Sequence, residues 1–182
     1  MKEKKEYRMD GRLFASREEI DFYFWCEEAK AAGIVARWSY QPRTFELAPA
    51  VKIPEQLKLK TKVRTVERHL LNDCRYTPDF LLLPGERWHL VGKALYGTGG
   101  GFWIDVKGTF AGQYNDGVKF SLLQKWTYDK WHVYVNKVVP VHFFEATFVP
   151  RRALSGRSGR PRTCYLACRT LAELLNTSPT LL

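Results

Sequence analysis

The sequence predicts an α/β fold, a central mixed sheet flanked by helices. Three features carry that expectation. A capped amphipathic stretch over residues 16–32 reads as a helix. Two short apolar runs, residues 76–83 and 102–107, read as neighbouring strands that each carry an aspartate. The second of these runs, a helix after Gly108 and the strand that follows it form a strand–helix–strand succession that reads as a crossover onto the same sheet.

The first element is the helix from Ser16 to Ala32. Ser16 is a good N-cap and Glu19 stands three residues on, where a capping box places its acid. Gly33 is a good C-terminal stop. Phe22, Trp25, Cys26 and Ala29 recur at helical spacing and form the apolar face. Glu19 lies at the edge of that face, and Glu18 competes with it because it shares a face with Phe22 and Trp25. Residues 34–41 then read as a strand ended by Pro42, and Thr44-Phe45-Glu46-Leu47 as another. From Lys52 to Arg68, Lys52, Lys58, Lys60, Lys62, Arg64 and Arg68 interleave with apolar residues, which predicts a hairpin with one wet side. That hairpin suits a DNA-facing arm, a bridge to a second subunit or a solvated edge.

Phe80, Leu81, Leu82 and Leu83 make the first strand of the central pair, and Phe102, Trp103, Ile104 and Val106 the second. Between them, Gly97-Thr98-Gly99-Gly100-Gly101 lacks the order of a phosphate-binding loop and reads as a hairpin tip. Trp88, Lys93 and Tyr96 lie on the same connection, where they could touch nucleic acid. A helix over residues 119–130 places Phe120, Leu123 and Trp126 or Thr127 on one face. Trp131 to Val135 and Val141 to Val149, rich in β-branched and aromatic residues, read as strands. Residues 151–162 hold five arginines and no acid, a composition suited to phosphate contacts or to a charged linker. Leu166 to Asn176 reads as a short helix with Leu171, Leu174 and Leu175 inward. The composition shift divides the chain into a core over residues 1–150 and an arginine-rich segment with a terminal helix over residues 151–182.

The chemistry concentrates on the central strands. Side chains alternate across a strand, so Asp105 and Lys107 project to one face while Ile104 and Val106 project to the other. With Asp79 on the preceding strand, two carboxylates and an ammonium form a site for a hard divalent cation and a phosphate. Such a site suits Mg²⁺, with Mn²⁺ as the alternative.

Pro78-Asp79 followed by Asp105-Val106-Lys107 resembles the signature of the PD-(D/E)XK nuclease superfamily, with Asp in the D/E position. Tyr76-Thr77-Pro78-Asp79-Phe80-Leu81-Leu82 and Lys107-Gly108 further resemble phage-type endonuclease I, the Holliday-junction resolvase. Ser16-Arg17-Glu18-Glu19 resembles that enzyme's SxxE helix start. The resemblance covers roughly residues 14–135, with large insertions. It implies a restriction-endonuclease-like fold and a metal-dependent endodeoxyribonuclease, active on branched DNA as a homodimer. Asp79, Asp105 and Glu19 would bind or assist the metal, and Lys107 would position or activate the nucleophile. The helix after the catalytic strand would turn Lys119, Gln124 and Lys125 toward DNA, with exposed helix residues as the alternative. Lys93, Lys125, Arg157, Arg160 and Arg162 are the candidate nucleic-acid contacts. A non-catalytic nucleic-acid-binding relative, or a nuclease of linear duplex in DNA processing or transposition, are the other readings.

Composition agrees with a polyanionic partner. Twenty-nine Lys and Arg against 19 Asp and Glu give a net charge of +10 over 182 residues, which predicts salt-sensitive binding. Hydrophobic residues make up 45% and aromatics 14%, enough for a sizeable core. No apolar run reaches the roughly 18–20 residues that span a bilayer, and the charged start lacks the apolar stretch of a signal peptide. A cytoplasmic protein without a membrane partner is the expectation. Cys26, Cys74, Cys164 and Cys168 read as reduced thiols. The four histidines show no metal-ligand spacing.

Overall fold

The computed structural model describes residues 7–58, 61–97, 100–108, 114–156 and 159–177. Ten strands and four α-helices are found among them, in the order β1 (Tyr7–Met9), β2 (Arg12–Phe14), α1 (Arg17–Ala31), β3 (Val35–Tyr40), β4 (Phe45–Ala48), β5 (Val51–Lys58), β6 (Val63–Leu71), β7 (Cys74–Tyr76), β8 (Phe80–Pro84), β9 (Phe102–Val106), α2 (Tyr114–Trp131), β10 (Val135–Val138), α3 (Pro140–Ala146) and α4 (Leu171–Thr177). The chain is α/β, and its central sheet is mixed. Four strands lie in the order β10-β9-β8-β3, with β10 parallel to β9 and the other pairs antiparallel. Around it stand three two-stranded pairs: β1 with β2, β4 with β7, and β5 with β6.

Alternation along the strands gives the sheet two cores. Phe80, Leu82, Ile104, Val106 and Val138 face α1 and α3, where they meet Phe22, Trp25, Cys26, Phe143 and Phe144. Trp103 and Val135 face the other way, with Phe45, Leu47, Tyr76, Phe120 and Val133. Aromatic rings hold the first core together: Phe22 meets Phe80 edge-on at 5.0 Å, and Trp25 meets Phe143 edge-on at 4.9 Å. Such pairs each add about 0.5–1.5 kcal/mol beyond the area they bury.

The expected helix start and stop are both present. The Ser16 side chain accepts from Glu19 N at 3.1 Å, and Gly33 carries the positive φ of +73° that a helix exit requires. Yet α1 is buried on nearly every side, with Glu19 through Cys26 all inside. Its outer side is covered by residues that the composition assigned to a separate tail. Ala153, Tyr165 and Leu174 belong to the main core, and Arg151 N donates to Glu28 Oε1 at 2.7 Å. The shift in composition after residue 150 is therefore not a packing boundary.

Three expectations are corrected. Val141 to Val149 is not a strand; most of it is α3, which begins with Pro140 in its first turn. Proline suits that position because the first helical N–H has no partner to lose. Residues 131–135 are not a strand either: α2 continues through Trp131, His132 ends it at φ +52°, and β10 starts only at Val135. Along α2 it is Thr127 that turns inward, while Trp126 is exposed. The hairpin of β1 and β2 was not anticipated. Its turn is Asp10-Gly11, at φ +49° and +76°, a dipeptide that favours tight hairpins. The terminal helix is shorter than expected and opens with a second capping box, Thr170 with Glu173.

Candidate active site

Asp79 and Asp105 come together at one end of the central sheet. Asp79 immediately precedes β8, and its main-chain oxygen accepts from Gln41 N at 2.7 Å. Its Oδ2 accepts from Val106 N at 2.8 Å. That bond ties Asp79 to β9, one residue from Asp105. Asp105 is 4% exposed. Its Oδ2 accepts from the Tyr76 hydroxyl at 2.6 Å, and its Oδ1 from Lys107 Nζ at 2.6 Å. Asp105, Lys107 and Trp103 alternate with Ile104 and Val106, so the acid and the ammonium share a face as the spacing predicted.

The electrostatics follow from this crowding. Burial pushes Asp79 up to about 8, with the neighbouring Asp105 and Glu19 carboxylates adding to the rise. Burial also raises the Tyr76 hydroxyl, beside Asp105, so it remains a donor. The pair is thus rich in acid and short of cations, with Lys107 the ammonium within hydrogen-bond reach. A raised carboxyl binds its proton more tightly in the folded state than in the unfolded one. Its contribution to stability is present below about pH 4 and is lost as pH rises to about 8. Without metal, the Asp79→Asn variant should therefore gain thermal stability relative to the parent as pH is raised from 4 to 8. Melting curves of both proteins in chelator, across that range, measure the difference; a constant gap would mean that Asp79 does not titrate there.

Glu19 is placed differently. It starts α1, which packs on the opposite face of the sheet from Asp105. Its Oε1 accepts from Ser16 Oγ at 3.1 Å, and its Oε2 from Ala15 N at 3.1 Å and the Tyr40 hydroxyl at 2.7 Å. Tyr40 pairs with Phe80 across β3 and β8, which brings this network next to Asp79. Burial and Glu19 raise the Tyr40 hydroxyl, keeping it a donor. Glu19 thus closes the start of α1 on the Ser16 hydroxyl and the Ala15 N–H that precedes the cap, and sits 5% exposed. Glu18 leans to Gly108, where an added Cβ would come 3.3 Å from its Oε1.

Among the described residues, no three His, Cys, Asp or Glu side chains converge on one point. Two do, and their chemistry fits Mg²⁺ or Mn²⁺. They are hard carboxylate oxygens, poorly compensated by cations, and Mg²⁺ is commonly held by one or two carboxylates while it keeps waters and takes substrate oxygens.

The remaining candidates divide. Lys125 is exposed on α2, and Lys93 is exposed on the short turn Gly92–Ala94. Lys119 is exposed as well, whereas Gln124 Nε2 is committed to Val135 O at 2.6 Å. Arg160 is exposed, and Arg157 lies outside the described residues. Arg162 is the correction. Its Nη1 donates to both oxygens of Asp21, at 2.7 and 2.6 Å, and its side chain is only 21% exposed. It holds α1 instead of facing a phosphate. Tyr76 and Tyr40 were given no role from the sequence, though Tyr76 stands two residues before Pro78.

Comparison with protein-family models, curated proteins and solved structures gives no match for this chain. No helix among the described residues is long and apolar enough to cross a membrane.

Proposed function

We propose that this chain is a Mg²⁺- or Mn²⁺-dependent DNA endonuclease with a restriction-endonuclease-like core, hydrolysing phosphodiester bonds at Asp79 and Asp105. The observation that carries this reading is the meeting of Asp79 and Asp105 with the Lys107 ammonium 2.6 Å from Asp105. Acids placed 26 positions apart in the chain, one just before β8 and the other on the neighbouring β9, form one anionic pocket beside a cation. When bound, the metal supplies Lewis acidity and lowers the pKa of its water. Asp79 and Asp105 would hold it. The Val106 N–H fixes one carboxylate, and the Tyr76 hydroxyl orients the other. Lys107 can hold the attacking water or neutralise charge on the phosphate. A net charge of +10 favours DNA as the polyanion. The resemblance to phage-type endonuclease I makes a four-way junction, cut by a homodimer, the first substrate to try.

The test is relaxation of supercoiled plasmid with Mg²⁺ and with chelator, followed by a junction and a linear duplex of the same arm sequence. No metal-dependent cleavage of any of the three would end the proposal. A monomer with equal rates on junction and duplex would remove the resolvase part alone.

The two helix acids give a sharper prediction. Glu19→Gln should lose most cleavage, because the Glu19–Tyr40 network flanks Asp79, and about 1–2 kcal/mol of stability, because an amide has one acceptor oxygen for three donors. Glu18→Gln should lose little of either. Nicking rates and melting temperatures of the two variants decide it, and the reverse order would move the role to Glu18.

A further inference from the structure

A cleft of about 1020 Å³ lies between the C-terminal half of α2, the start of β10 and the connection before β9. Its wall is unusual in kind. Tyr96, Tyr128, Tyr134 and His132 supply rings, Gln124, Lys125 and Asp129 supply polar ends, and no aliphatic side chain among the described residues lines it. Tyr96 is 73% exposed and Tyr128 50%. Exposed rings at such density are costly on a surface with nothing to cover them.

Tyr96 is exposed but not loosely held. The buried Asn136 accepts from Tyr96 N at 2.8 Å and donates to Tyr96 O at 2.9 Å, while also donating to Trp103 O at 2.9 Å. A core side chain thus fixes the backbone of a residue whose ring faces solvent. Tyr134 stands edge-on to that ring at 5.7 Å. On the other wall, Tyr128 lies edge-on to His132 at 6.2 Å. Preorganised rings of this sort lose little entropy when a flat partner stacks on them.

We infer that this cleft receives an unpaired nucleobase of the DNA substrate, stacked on its tyrosines, with Lys125 on the adjoining phosphate. An aliphatic anchor from a protein would meet no aliphatic wall, whereas every base has a π-face. Paired bases keep their faces inside the duplex, so only an unpaired nucleotide can enter. Gln124 commits its amide nitrogen to Val135 O and leaves its oxygen for a base amino group. Asp129 adds a second acceptor and repels phosphate, so the backbone runs on the Lys125 side.

Register places this cleft relative to the acids. Asp105 pairs with Lys137, three residues beyond Tyr134, a distance of about 10 Å along the strand. The inference rests on the nuclease reading for the identity of the polymer, and it names the substrate class as DNA with unpaired nucleotides near the cut.

Binding without metal separates the two proposals. Anisotropy of a fluorescein-labelled single strand, and of a labelled duplex of the same sequence, is measured in chelator for the parent, Tyr96→Ala/Tyr128→Ala and Tyr96→Phe/Tyr128→Phe. Each lost stacking ring should weaken single-strand binding roughly 5- to 100-fold, with duplex binding unchanged and the Phe pair close to the parent. Should the Ala pair melt early, Lys125→Glu carries the test, with a selective loss of single-strand affinity expected. Equal single-strand affinity in the folded Ala pair or in Lys125→Glu overturns the inference. Equal losses on strand and duplex overturn it too. Metal-dependent cleavage by a parent protein whose binding ignores these tyrosines would leave the nuclease standing alone, and the expected binding pattern without cleavage would leave the base cleft standing alone.

Discussion

Asp79→Ala and Asp105→Ala should each lower Mg²⁺-dependent cleavage by about 10³-fold or more, while DNA binding stays level or tightens. The size follows from what a divalent ion contributes to a phosphoryl transition state, several kcal/mol of charge stabilisation, and about 1.4 kcal/mol is a factor of ten in rate. Binding should not fall because an acid near a phosphate repels it. The two variants are not equivalent in the rest of the molecule. Asp79 receives one backbone donor, Val106 N. Asp105 receives both the Tyr76 hydroxyl and the Lys107 ammonium, so its removal leaves a buried hydroxyl with no acceptor and frees Lys107. Asp105→Ala should therefore also lose stability, by about 1–3 kcal/mol for the stranded donor. Asp105→Asn keeps an acceptor for Tyr76 and separates the two effects: cleavage stays low while the melting temperature recovers. Plasmid nicking, filter binding in chelator and thermal melts on the four proteins measure all of this. Full cleavage by either Ala variant would end the assignment of the reaction to these residues.

What could be read from the sequence was local in origin. Ser16, Glu19 and Gly33 mark the ends of α1 through bonds made within four residues. The Asp105 and Lys107 spacing sets their common face, because strand alternation needs no partner. The two aspartates were joined through their short apolar runs and the resemblance of Pro78-Asp79 and Asp105-Val106-Lys107 to one signature, and antiparallel β8 and β9 do bring them side by side. Composition misleads where position decides. Val141 to Val149 is rich in strand formers, yet Pro140, and Phe143 with Phe144 turned to the core, fit a helix; β propensity yields to packing. The Asp10-Gly11 dipeptide is itself a hairpin signal, and β1 and β2 pair across it. The bonds that Tyr40 and Tyr76 make were not legible, although Tyr76 opens the quoted motif, because a hydroxyl's partner 21 or 29 positions away is fixed by the fold.

Arg162 is the extreme of that non-local kind, and its replacement carries the second large effect. Among five arginines in twelve residues it looked like one more phosphate contact, but its partner Asp21 lies 141 positions earlier, 2% exposed in the wall of α1. Tyr165 OH also donates to Asp21 Oδ2 at 2.9 Å, and the guanidinium lies 4.5 Å over the Tyr165 ring. Burial raises the Asp21 carboxyl even against the pull of Arg162. On Arg162, burial is the largest influence and works against the charge, but the hydrogen bonding and the charge of Asp21 act together to hold the group above its usual value. Desolvation is thus the larger force on the acid, and the pair is a poor candidate for net stabilisation. Breaking it is a different matter. Arg162→Ala leaves a buried carboxylate with only a tyrosine hydroxyl, at a cost of about 3–5 kcal/mol, or roughly 6–20 °C in melting temperature for a chain of this length. Lysine should restore only part, since an ammonium supplies the charge but neither the second nitrogen, which donates to the Tyr165 hydroxyl, nor the planar group over the Tyr165 ring. The loss should shrink as pH falls, because a protonated Asp21 is no longer a buried charge, and Asp21→Leu/Arg162→Met should recover most of it. Urea or thermal unfolding of these variants at acid and neutral pH measures the effect. If Arg162→Ala instead melts with the parent and loses DNA affinity with a flatter salt dependence, the arginine faces phosphate after all, and α1 is held in place without it.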